Sequence, residues 1–378
     1  MKYIIWLLRI ALGGLFIFSG LVKANDPMGL TYKMGEFFDV WHWNFMTQNI
    51  AFWLSVFMIA FEIIAGVAMF VGNSFRMYIT LMLLMNIFYT FLTGYVFYTD
   101  KINECGCFGD CFKISNSATF YKDIAITAVN LFLFIFRYRV FPIFKKSAIN
   151  FSIVFLAVLF SIGFQWWVLH HLPYHDCLPY KVGNNLLEKM SPAKDATPAV
   201  TETTLTYEKN GIQKEFPMDK LPTDKEWKWV STNTKVIKEA TGEPQIHDFI
   251  LSDKSGNNVA KDILSKKGYL FLWFVKDPKK GDTININRIN TIIAKTTTEK
   301  IPFYALVSEI GIDDFKTYAE VWDMKNVPFF MLDGTVNKTA MRTNMGLMLL
   351  KDGIVIGKWS YLDYPKDITV EGDNLICK

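Results

Sequence analysis

YIIWLLRIALGGLFIFSGLV, residues 3–22, is an apolar run broken by a single arginine. Its length matches the roughly 20 residues that a helix needs to cross a bilayer. Working outward, residues 51–72, 75–98 and 150–169 are runs of the same kind. A weaker one covers about 119–136, where the uncharged stretch from Ile124 to Phe136 is short and Phe120 and Tyr121 extend it. The expectation is therefore five membrane-spanning helices before residue 172. Val22-Lys23-Ala24 has the look of a signal-peptide cleavage site, but the first run is longer than a usual signal core and is read as a retained helix.

The length, 378 residues, suits two domains. Apolar residues make up 51% and aromatics 16%, and this excess lies almost entirely before residue 172, so the halves are different kinds of protein. With 40 basic against 36 acidic residues, a net charge of +4, no nucleic-acid partner is expected. Arg76 links the second and third runs, and Arg137, Arg139, Lys145 and Lys146 follow the fourth. The positive-inside bias places those links in the cytoplasm, together with the N-terminus. Residues 23–50, the 105–111 turn and everything after residue 170 then face an oxidising compartment, where disulfides persist.

Inside the apolar runs two charges stand out, Arg9 and Glu62. Counting residues along the two helices puts them within ~6 to 8 Å in depth, so a neutralising interhelical pair is expected. The alternative is a proton or quinone site built on Glu62. Asn86, Asn130 and Gln165 are expected to hydrogen-bond between helices, and Gly13, Gly14, Ser19 and Gly20 to give the first helix a face for close packing.

CGCFGDC, residues 105–111, places three of the five cysteines in a short polar turn. Cys105 and Cys107 can close a small strained ring, the kind of disulfide that exchanges readily. Cys111 then serves as a resolving thiol or reaches Cys177, just beyond the fifth run. A structural staple is the plainer reading of the same residues. A metal set drawing on His170, His171 and His175 is the third, but its spacing matches no established zinc pattern, so no metal is expected. Cys377 is read as free, or tethered to Cys177.

Past Pro173 and Pro179, the run Ser191–Thr204 is linker-like. TLTYEKNGIQKEF, residues 204–216, predicts a hairpin turning at Asn210-Gly211, with Trp227 and Trp229 anchoring a small β subdomain. From residue 245, strand and helix patterns alternate and predict an α/β domain.

Two resemblances sharpen these expectations. SGLVKANDPMG, residues 19–29, with the later CGCFG turn, resembles the DoxX and MauE group of four-helix membrane proteins, through Ser19, Gly20, Lys23, Asp26 and Pro27. That likeness covers residues 1–140. It implies a bacterial inner-membrane bundle associated with thiol, sulfur or quinone redox chemistry and with maturation of exported proteins. An extra helix at 141–172, a linker and β subdomain at 173–244 and a long C-terminal domain resemble the larger form found in Bacteroidetes. IHDFILSDKSGNNV, GYLFLWFV, IPFYALVS and the 341–359 segment make residues 245–378 similar to thioredoxin-like proteins of the TlpA and peroxiredoxin type. Where those carry CxxC, this chain has Lys276-Asp277-Pro278-Lys279-Lys280-Gly281-Asp282, and Met345 stands at the usual cis-proline.

The expected whole is an all-α membrane bundle, a fifth spanning helix and a periplasmic thioredoxin-like domain without a dithiol. Two functions are compatible with it. One is an inner-membrane accessory protein that works with protein partners in export, folding or maturation of envelope proteins. The other is an enzyme, a quinone-linked thiol-disulfide oxidoreductase using Cys105 and Cys107. The missing CxxC and the lack of cysteine inside the apolar runs favour the first.

Overall fold

A computed structural model describes residues 2–377 except 100, 103–108, 113, 194, 198–199, 210–211, 219, 223, 225, 239–240, 281–282, 309–310 and 373. The chain opens with α1 (Lys2–Ala24), α2 (Pro27–Val40), α3 (Gln48–Val71), α4 (Phe75–Thr99), α5 (Asn116–Ile135) and α6 (Ser147–His170). All but α2 are long and apolar enough to cross a membrane, so the five expected spans are present, including the weak fourth as α5. Many of their large apolar side chains, among them Trp53, Phe57, Leu84 and Phe155, are exposed, as suits helices that face lipid.

Small residues set how the first helices meet. A Cβ placed on Gly13 would lie 2.9 Å from the Gly66 carbonyl oxygen, and one on Gly66 would lie 2.9 Å from that of Gly13. α1 and α3 therefore run in backbone contact, antiparallel, with Gly20 fitted against Glu62 and Ile63. α2 is an element that hydropathy alone did not reveal. Asp26 caps it by accepting from the Gly29 amide at 3.1 Å, and Pro27 fills its first turn, where a missing N–H costs nothing.

The short α7 (Leu186–Lys189) precedes β1 (Val200–Lys209), β2 (Ile212–Pro217) and β3 (Lys228–Lys238), an antiparallel sheet in the order β2-β1-β3. The expected hairpin is β1 with β2, its Asn210-Gly211 turn lying outside the described residues. β1 begins at Val200, within the run that composition reads as linker.

β4 (Leu251–Ser252), α8 (Ala260–Leu264), β5 (Tyr269–Val275), α9 (Thr283–Thr298), β6 (Phe303–Ser308), α10 (Ile312–Val321), β7 (Phe329–Leu332), α11 (Gly334–Ala340), β8 (Gly346–Lys351) and β9 (Ile354–Trp359) follow. Their six strands form one sheet in the order β4-β7-β6-β5-β8-β9, parallel from β5 to β7 and antiparallel beyond. Strand side chains alternate between faces. Leu270, Leu272 and Phe274 enter one core with Leu306 and Met348, whereas Phe271, Trp273 and Val275 enter the other with Val307 and Leu347. Both faces are buried, which is why YLFLWFV is apolar throughout instead of alternating. β10 (Ile368–Glu371) and β11 (Asn374–Cys377) close the chain as a hairpin.

Candidate functional site at the mouth of the bundle

Glu62 is fully buried in α3 and is held by three side chains. Lys23 Nζ lies 2.5 Å from Oε1, the Tyr89 hydroxyl donates to the same oxygen at 2.6 Å, and Ser19 Oγ donates to Oε2 at 3.1 Å. Lys23 also sits 4.9 Å from the centre of the Tyr89 ring. A carboxylate in apolar surroundings needs both an opposite charge and filled hydrogen bonds, and this arrangement supplies both.

The expected Arg9–Glu62 pair does not form. Arg9 donates instead to the carbonyls of Phe70, at 3.0 Å, and Phe141, at 2.9 Å. The reason is register. Gly13 against Gly66 and Gly20 against Glu62 align Glu62 with Ser19–Lys23, while Arg9 meets the last turn of α3, whose carbonyls lack helical partners. Arg9 and Ser19 are about 15 Å apart along α1 at the helical rise. The expected interhelical bonding of Gln165 is also replaced by a local one, to Ser161 Oγ and O on α6. Both polar atoms of the Asn130 amide lack a hydrogen-bond partner among the described residues.

Each of the five fixed residues of the SG-x-x-K-x-x-DP motif thus has a place. Ser19 and Lys23 bind Glu62, Gly20 admits α3, and Asp26 with Pro27 starts α2. Asp26 does more, because its Oδ2 accepts from Arg342 Nε at 2.8 Å and so joins the bundle to the α/β domain. Beside that contact Lys276 Nζ donates to the Tyr32 hydroxyl at 2.7 Å. Lys276, Lys338 and Arg342 stand 5.3, 5.4 and 5.5 Å from the Tyr32 ring centre. Burial pushes the Tyr32 hydroxyl pKa well above its usual value, with Arg342 opposing and Asp26 reinforcing the shift.

Lys276 and Asp277 directly follow β5, and their amides donate to Asn344 Oδ1 at 3.1 and 2.9 Å. Asn344 precedes Met345, which is buried with φ at 55°. The end of β5 and the turn into β8 are therefore tied together and turned toward α2. Further along the junction, Lys358 meets Asp176 at 2.6 Å and His171 meets Asp363 at 2.7 Å. Asn25 Nδ2 donates to the His175 carbonyl at 2.8 Å. Burial lowers the Lys358 pKa, and Asp176 works against that shift. None of these long-range pairs carries a sequence signal.

Cys111 and Cys177 form a disulfide across 66 positions, tying the turn before α5 to the segment after α6. The suggested Cys177–Cys377 tether is thereby ruled out. Cys377 is a free thiol in β11, and burial pushes its pKa up to about 11. Cys105 and Cys107 lie outside the described residues. The end of their turn sits over the exit of α1, for a Cβ on Gly109 would lie 3.7 Å from Val22, and Phe112 packs on Phe18 at 5.9 Å.

Residues 1–137 match the family model described as Methylamine utilisation protein MauE, and residues 201–239 match that of a domain of unknown function (DUF8463). No curated protein and no solved structure matches the chain. The MauE-like region and the five apolar helices make this a membrane protein.

Proposed function

We propose that the chain is an inner-membrane accessory protein whose α/β domain is a thioredoxin-like fold without redox activity, held on the periplasmic side to serve export, folding or maturation of envelope proteins. The carrying observation is the Lys276–Tyr32 contact. The surface at which a thioredoxin-like protein presents its dithiol bears Lys276, Asp277 and Asn344 instead, and the bundle covers part of it. Such a domain holds a partner without exchanging disulfides with it. Orientation rests on Arg76, Arg137 and Arg139, which gather at the bundle end away from the α/β domain, where Arg76 and Arg137 pack on Tyr138. Crosslinking in the native host followed by gentle detergent purification tests the proposal. Specific envelope or translocation proteins should travel with the chain, and recovery of a lone monomer would sink the accessory reading.

A second reading has its own support. With Cys111 committed to Cys177, Cys105 and Cys107 are the remaining thiols of a turn that ends beside Val22, next to Lys23. In that reading a Cys105–Cys107 disulfide takes two electrons from a substrate dithiol, and the reduced pair returns two electrons and two protons to a membrane quinone, giving quinol. Replacing both cysteines by serine should then leave exported cysteine proteins more reduced. An unchanged thiol pool eliminates the oxidoreductase.

A further inference from the structure

At the bundle end away from the α/β domain, a cavity of about 350 Å³ lies between the start of α1 and the link from α5 to α6. Ile5, Trp6, Val140 and Phe141 give it apolar walls, and Lys2 and Arg9 bring basic groups to it. Arg9 sets the sign of the occupant. It is only 3% exposed, and both of its hydrogen bonds go to carbonyls, those of Phe141 and Phe70, which carry partial charge alone. Its Nε has no hydrogen-bond partner among the described residues.

The chain brings no carboxylate to this end. Residues 1–25, 63–99 and 124–175, which build it, contain neither aspartate nor glutamate. A buried guanidinium in apolar surroundings is costly without an opposite charge, so the counter-charge comes from outside the chain. Position says from where. Arg9 lies about 10 Å along α1 from Lys2 at the helical rise. Tyr3 and Trp6, both exposed between them, mark the level of lipid headgroups. A small dissolved anion would leave the four apolar walls unfilled, and a neutral chain would leave Arg9 as it is.

We propose that this cavity binds one anionic glycerophospholipid from the leaflet at that end, its headgroup charge toward Arg9 and Lys2 and the start of an acyl chain along Ile5, Trp6, Val140 and Phe141. The bound lipid joins the start of α1 to the α5–α6 link. This is a specific site, distinct from the general lipid contact of the exposed helices.

The test uses the full chain in detergent micelles, titrated separately with dioleoyl phosphatidylglycerol, dioleoyl phosphatidylcholine and inorganic phosphate, with bound ligand counted by native mass spectrometry. One phosphatidylglycerol should be retained with about tenfold preference over phosphatidylcholine, the order expected when one or two basic side chains meet the extra charge. Arg9→Gln, which removes the charge, should bring the two lipids to near-equal affinity, and Val140→Trp, which fills the cavity, should weaken phosphatidylglycerol binding severalfold. Lys145→Gln, a basic residue of the same end that does not line the cavity, should change neither. Thermal unfolding confirms which variants fold, and Val140→Trp decides if Arg9→Gln does not. Equal affinity for the two lipids in the wild-type chain overturns the proposal. So does full retention of phosphatidylglycerol by the folded cavity variants, an equal loss in Lys145→Gln, or complete displacement of the lipid by inorganic phosphate.

Discussion

Lys23 and Glu62 show what a single charge inside the bundle demands. With side chains only 5% and 1% exposed, neither has water to fall back on. Lys23→Met leaves the carboxylate buried and unpaired, and is expected to destabilise the chain by about 3 to 5 kcal/mol. Adding Glu62→Leu should recover most of that loss, since an apolar pair of similar volume replaces an ion pair at little cost. Thermal unfolding of the single and double variants in micelles checks both, and an additive double variant would show the two groups to be independent. Cys377 allows a pH test. Thiolate is the alkylating form, so a pKa of about 11 should slow its reaction with iodoacetamide at pH 8 by roughly a hundredfold relative to an unperturbed thiol. The rate should climb as pH approaches 11. Because the folded pKa lies above the unfolded one, the stability gained from the neutral thiol is complete below the unfolded value and fades as pH rises through about 11. Both Arg9 and Glu62 stand out in the sequence as charges needing partners. Which partner each takes does not, because glycine contacts between helices decide the register.

At the scale of elements, the spanning helices and the central strands were legible because burial writes itself into composition. Five apolar runs became five helices, and YLFLWFV became β5 with cores on both faces. α2 was missed because its 14 residues mix Lys33, Glu36 and Asp39 with apolar positions, and its signal lies in the Asp26-Pro27 cap. The start of β1 was hidden in a polar run, since a three-stranded sheet with a wet face needs few apolar residues. The Cys111–Cys177 bridge is the element-level device with the largest testable effect. Closing a loop of this length stabilises by up to about 4 kcal/mol through the entropy of the open chain. Cys177→Ser, or reduction of the wild type, should therefore lower the unfolding temperature, and the two treatments should not add.

At the scale of the whole molecule, the decisive contacts join residues hundreds of positions apart. Asp26 and Arg342 are separated by 316 residues, and no local pattern announces such a pair. The motif residue Asp26 was legible as special, but its second duty toward Arg342 required the folded domain. Asp26→Ala removes both the α2 cap and the junction pair, so limited proteolysis should cut the 171–185 segment faster than in the wild type. Arg342→Ala should do the same while leaving the cap intact. Unchanged cleavage in Arg342→Ala would mean that the ion pair contributes nothing to docking.

The disulfide and the junction pairs also limit reach. A domain on a free linker sweeps a hemisphere and meets dissolved molecules, but one fastened at Cys177, Asp176 and Asp26 stays against the headgroups. Its encounters are then with molecules already on the same sheet of lipid, a search in two dimensions, where lateral density counts for more than bulk concentration.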